Sequence, residues 1–171
     1  EAPGGALAML ACAASLWLQL PVNVPRWRRR LAQGVSAATG IVALTAALEH
    51  ASGIDLVFDD VLFTIGLPAP PDGAAGNSGF GATMTLLCAS MSLVLLRTRS
   101  LPALCVSTAS TSGALVLSLT ALFGYSLDVS RDSGFWKLFG MALQSAVGFL
   151  VLGGGIMAGR PDRPLVATII S

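Results

Sequence analysis

The chain has 171 residues, of which 54% are hydrophobic and 11% charged, with one histidine, three cysteines and a formal net charge of +1. Soluble domains carry about 25% charged residues, so a soluble fold would lack the charge to cover its surface. A nucleic-acid partner is excluded on the same ground, because the arginines are gathered beside apolar stretches instead of spread over a basic face.

Five stretches reach the roughly 17 to 25 mostly apolar residues a helix needs to cross a hydrocarbon core. In chain order they are 4–20, 31–50, 80–96, 102–124 and 136–158. They predict an all-α, polytopic membrane helix bundle, a single transmembrane domain over 1–171 with the lipid bilayer as its main partner. The chain begins at Glu1 with neither Met nor the basic n-region of a signal peptide, which reads as an interior piece of a longer protein. After the first stretch come Arg26, Arg28, Arg29 and Arg30; Arg97 and Arg99 follow the third stretch, and Arg160 and Arg163 the fifth. Glu49, Asp55, Asp59, Asp60 and Asp72, then Asp128 and Asp132, lie at the alternate connections. Cytoplasmic loops carry the excess of Lys and Arg. The expected topology in a bacterial cytoplasmic (inner) membrane therefore has Glu1 outside and Ser171 inside, with Trp17, Trp27, Trp136 and Tyr125 as interfacial anchors.

The second stretch ends on Glu49-His50, and the segment 54–65 follows. Ile54, Val57, Phe58, Val61, Leu62 and Ile65 have the spacing of one helical face, with Asp55 and Asp59 on the other. This predicts an amphipathic helix on the outer surface or over the mouth of the bundle. Pro68 to Gly73 and Asn77-Ser78-Gly79 then read as a loop.

The pattern of short span, Arg turn, longer span and outer segment recurs. Gly53-Ile54-Asp55-Leu56 answers to Ser126-Leu127-Asp128-Val129, which sets Gly40 on Gly113 and Leu44 on Leu117, and a third copy starts at Gly140. A period of about 60 to 75 residues with two spans per unit is a helical hairpin repeated in parallel orientation. Inverted repeats, common in transporters, need an odd number of spans per unit. No span holds a charge near its middle, which also argues against a transporter or channel.

The fourth span carries Ser107, Thr108, Ser110, Thr111, Ser112 and Gly113, and the fifth Gly148, Gly153, Gly154, Gly155 and Gly159. Small residues allow close backbone approach, so Gly113, Gly148, Gly155 and Gly159 are expected in helix packing, with a hinge at Gly153–Gly155 as the sharper alternative. Cys12, Cys88 and Cys105 fall one to a span without C-x-x-C spacing and read as small apolar residues.

Nucleotide loops, H-E-x-x-H and G-x-S-x-G are all missing, and one histidine cannot build a triad or a multi-histidine metal site. The sequence predicts no catalytic residue, no metal and no cofactor. Glu49, His50, Asp55 and Asp59 together form the candidate mouth for a stimulus or ligand, since His titrates near neutral pH and carboxylates beside it can hold a proton or a cation. The plainer reading is a set of interfacial groups ending an apolar helix. A haem or chlorophyll on His50 lacks a second axial ligand.

Met141 to Leu150, running on to Gly159-Arg160-Pro161-Asp162-Arg163-Pro164, resembles the last part of the multi-pass membrane sensor region at the N-terminus of bacterial histidine kinases of the PAS/GAF type. Gly53 to Phe63 is similar to an outer-segment motif of that group, and Ala2 to Leu10 to the start of its repeated span. Where that family often has His or Asn ahead of the repeated span, this chain has Gly4-Gly5, Ala82-Thr83 and Gln144-Ser145. The resemblance implies an input module of a two-component receptor, with further spans and a cytoplasmic kinase on the same polypeptide and with other membrane helices, of a second copy or a host complex, as partners. The rival expectation is a non-catalytic structural or accessory subunit of a larger membrane complex.

Overall fold

A computed structural model describes residues 3–21, 25–52, 80–98, 100–127 and 141–159. Among them the chain is helical without a strand: α1 is Pro3–Gln19, α2 Arg26–Ser52, α3 Phe80–Val94, α4 Leu101–Ser126 and α5 Leu143–Ala158. The expected amphipathic segment 54–65 lies outside the described residues.

Local chemistry sets the ends. Ser100 is extended (φ −72°, ψ 136°) ahead of α4, and Pro102 occupies its first turn, where the missing N–H costs no hydrogen bond. Past α3 the chain tightens, Leu96 N donating to Leu93 O at 3.3 Å and Thr98 Oγ1 to Leu95 O at 2.6 Å. The stretch expected to be helical from 136 differs at Met141 and Ala142, which are not helical. Ala142 is extended with ψ 144°, and the Met141 carbonyl is turned out to accept the Tyr125 hydroxyl at 2.8 Å.

Side-chain contacts give the directions. Ser15 meets Ala32 and Ser36, Gln33 meets Val94, Ser92 meets Ser107, and Tyr125 meets Met141. Consecutive helices are therefore antiparallel, and the three short ones, α1, α3 and α5, run parallel. These three share the apolar core: Cys12 and Leu16 of α1, Ala89 and Leu93 of α3, and Ala146, Phe149, Leu152 and Ile156 of α5. α3 touches all four other helices and sits at the centre.

The two long helices join this trio through seams of small residues. α2 buries Ala32, Ser36, Thr39, Ala43 and Ala47, and α4 buries Ser107, Thr111, Ala114, Ser118 and Ala121. Steps of three and four keep each set on one helical face. The seams superpose when Ala32 is set on Ser107, which puts Ser36 on Thr111, Thr39 on Ala114 and Ala43 on Ser118. That register is two residues from the one that set Gly40 on Gly113. The sequence alignment was anchored on Asp55 and Asp128, beyond the helices, whereas packing is fixed by the faces the helices bury.

Beside the apolar core the bundle buries hydroxyls and exposes large apolar side chains. Ser15, Ser36, Thr85, Ser92, Ser107 and Ser118 have no exposed surface, while Leu10, Trp17, Ile41, Val116, Phe123 and Val151 face outward. Two helices, over Arg26–Glu49 and Leu101–Ser126, are long and apolar enough to cross a membrane; α1, α3 and α5 are apolar but shorter.

Candidate functional site

The alternating directions create two unlike ends. At one, the α1 C-terminus, the start of α2 and the end of α3 are tied by arginines. Arg97 donates through Nη2 to the Gln19 and Pro21 carbonyls, the latter at 2.7 Å, and Arg29 Nη2 donates to the Arg97 carbonyl at 3.3 Å. Each carbonyl belongs to a helix end or turn that has no intrahelical donor. Arg28 lies over the Trp17 ring, 5.8 Å from its centroid, within reach of a cation–π attraction. α5 finishes at this end too, since a Cβ on Gly159 would lie 3.7 Å from Leu20 Cδ2. The first two Arg clusters are thus brought together, apart from Arg99, which with Arg160 and Arg163 lies outside the described residues.

One turn deeper, Gln19 is 2% exposed and bridges α1 to α3. Its Nε2 donates to Leu93 O and to Ser15 Oγ, each at 3.3 Å. Its Oε1 is buried without a hydrogen-bond partner among the described residues. Sequence reasoning missed Gln19. A glutamine near the end of an apolar span before an Arg cluster was the available signal, but what it bridges depends on α3, which is far away in sequence.

The candidate mouth is at the opposite end. Glu49 is half-buried on the last turns of α2, and its Oε1 is buried with no partner among the described residues. His50 continues the helix. Asp55 and Asp59 lie outside the described residues, so the four are not seen brought together. Tyr125 is at this same end, its hydroxyl committed to Met141. No three His, Cys, Asp or Glu side chains gather among the described residues.

The glycines separate by what they face. A Cβ on Gly148 would collide with the end of Met9, and one on Gly155 would come within 2.8 Å of Leu16 Cδ2. With Gly159 near Leu20, they form one stripe of α5 that receives α1 in a fixed register. Gly113 has only ordinary contact with Cys88 Sγ, at 3.8 Å. Gly40 on Ser90 (2.9 Å to Oγ) and Gly153 on Leu115 (2.7 Å to Cδ2) are the tighter approaches. α5 runs unbroken through Gly153–Gly155, with Gly154 facing open space.

No protein-family model, characterised protein or solved structure matches this chain. No ligand is therefore carried over from a relative.

Proposed function

We propose that this chain is a polytopic membrane domain acting as the sensory input module of a bacterial two-component histidine kinase. It passes a change at the Glu49–His50 end to a cytoplasmic output beyond the Arg-bearing end. The observation that carries the membrane part is that fully buried serines and threonines sit beside the apolar core while large apolar side chains such as Leu10, Trp17, Ile41, Phe123 and Val151 face outward. Bundles in lipid are held by close packing and interhelical hydrogen bonds, without a hydrophobic drive between helices. α1, α3 and α5 reach only about 22 to 26 Å at 1.5 Å per residue, against a hydrocarbon core of about 30 Å. Local bilayer thinning and the flanking Trp and Arg side chains accommodate such a shortfall. Orientation follows the eight arginines of the three clusters, against Arg131 and Lys137 in the opposite connection.

The sensing role rests on the sequence resemblance together with the Glu49 Oε1, which is buried with no partner among the described residues, next to His50 in the sequence. A buried polar group without a partner is costly, and a stimulus that supplies one shifts the packing of α2 against α1 and α3. In the full-length receptor, His50→Ala and Asp55→Asn are expected to alter the signal dependence of autophosphorylation and to leave ATP turnover by the cytoplasmic part unchanged. Unaltered signalling in both removes the mouth, and a natural reading frame without a kinase removes the sensor. That last outcome favours the accessory subunit, which the broad apolar exterior would serve equally well. Cysteine labelling at positions 28, 97 and 72 checks sidedness: the first two are expected to react from one side and the third from the other.

A further inference from the structure

The outer face of α2 carries a shallow, open groove of about 500 Å³, formed by this helix alone and lined by Trp27, Arg30, Leu31, Gly34, Val35 and Ala38. These positions share one face of the helix, turned away from the buried seam of Ala32, Ser36 and Thr39. The floor is low because Gly34 has no side chain and nothing lies within 4 Å of where a Cβ would stand. Trp27 and Leu31 are exposed walls. Below Arg30 the lining is apolar. Of the neighbouring arginines, Arg28 lies over Trp17 and Arg29 donates to the Arg97 carbonyl, whereas Arg30, at the groove, and Arg26 are exposed with no hydrogen bond to any described residue.

We propose that this groove seats one anionic phospholipid, with Arg30 on the headgroup phosphate, Trp27 at the level of the glycerol, and an acyl chain lying over Gly34 and Ala38. The inference rests on the membrane reading above. Charge complementarity favours lipid over a second copy of the chain. Copies inserted in one membrane share an orientation, so a two-fold contact across this strip sets Arg30 against Arg30 and repels, while Arg at the cytoplasmic level attracts anionic headgroups. Indole rings also favour the interface.

The full chain is reconstituted in nanodiscs of equal phosphatidylglycerol and phosphatidylcholine, re-extracted in mild detergent, and its retained lipid counted by native mass spectrometry. The native protein is expected to keep phosphatidylglycerol in preference. Arg30→Gln reduces that preference about fivefold, the worth of one arginine near an anionic surface, and Gly34→Leu fills the groove and reduces retention of either lipid. Gly34 faces open space, so the leucine leaves the bundle intact, checked by circular dichroism and elution volume. Retention unchanged in both variants overturns the site. A Gly34→Leu protein that passes from dimer to monomer with its lipid unchanged also overturns it, by assigning the groove to a second copy. The membrane reading fails separately, if the protein is released from membranes by alkaline wash.

Discussion

The hairpins α1–α2 and α3–α4 are closed in the same way and supplied differently. In each, a buried serine of the short helix reaches two positions one turn apart on the long helix. Ser15 bonds the Ala32 carbonyl at 2.9 Å and the Ser36 hydroxyl, and Ser92 bonds the Ser107 carbonyl at 3.3 Å and the Ser107 and Thr111 hydroxyls. Thr111 has a further bond, to Ser107 O at 2.7 Å. The second latch is redundant, and the first hangs on one hydroxyl. Position explains the contrast: α3 lies at the centre and buries Thr83, Thr85, Ser90 and Ser92, whereas α1 lies at the rim and exposes Leu7, Leu10 and Trp17. The same serine chemistry thus closes both hairpins, while the surroundings decide how many partners each meeting needs.

The largest effect is expected where the second hairpin meets α5. Gly153→Val drives a side chain into Leu115 and lowers stability by about 1–3 kcal/mol, the usual cost of overpacking; the next residue tests the cause, because Gly154→Val stays within about 0.5 kcal/mol. Equal losses from the two, in detergent unfolding of the purified chain, would remove the close approach as the reason. Next comes the comparison of latches. Ser15→Ala leaves Ser36 without its partner across the seam and is expected to cost about 1 to 1.7 kcal/mol, toward the top of the range for hydrogen bonds between membrane helices, and Ser92→Ala about 0.6 kcal/mol. Adding Ser36→Ala to Ser15→Ala then costs little more, and a reversed order of the single variants would mean that redundancy does not set the strength.

Arg97→Gln removes a charged donor from the Gln19 and Pro21 carbonyls that tie the first hairpin to the second. Hydrogen bonds to charged groups are worth about 1.5–3 kcal/mol, and at this half-buried end about 1 kcal/mol is expected, read as a lower midpoint with unchanged slope; no change would show that water replaces the guanidinium there. Gln19→Leu should move least, within about 0.5 kcal/mol, because losing two long bonds is offset by removing an oxygen that has no partner among the described residues. A loss above about 2 kcal/mol would show that Oε1 holds something in the native bundle.

The helical character of these regions could be read from apolar run length, and the small residues of α4 and α5 announced close packing before any contact was known. Two things stayed hidden. The meeting of Gly148 with Met9 and of Gly155 with Leu16 joins opposite ends of the chain, and local periodicity has no access to such pairs. The choice among serines is equally unreadable: Ser110 and Ser112 differ from Ser107 only in the face they occupy, and neither hydroxyl enters the α3–α4 latch. Of the candidate mouth, the sequence offered residue types that can titrate near neutral pH, but their convergence depends on a connection whose path spacing does not dictate.

The fit of α1 onto α5 has a consequence for biogenesis. Each hairpin joins near neighbours and can form soon after its second helix leaves the ribosome, since short loops close at little entropic cost. The α1–α5 stripe cannot form until the last of these helices has been made. Until then Leu16 and Met9 have no glycine to receive them, and the half-built bundle presents an unfilled side to its surroundings. A chain halted after α4 would therefore be the stage most exposed to quality control.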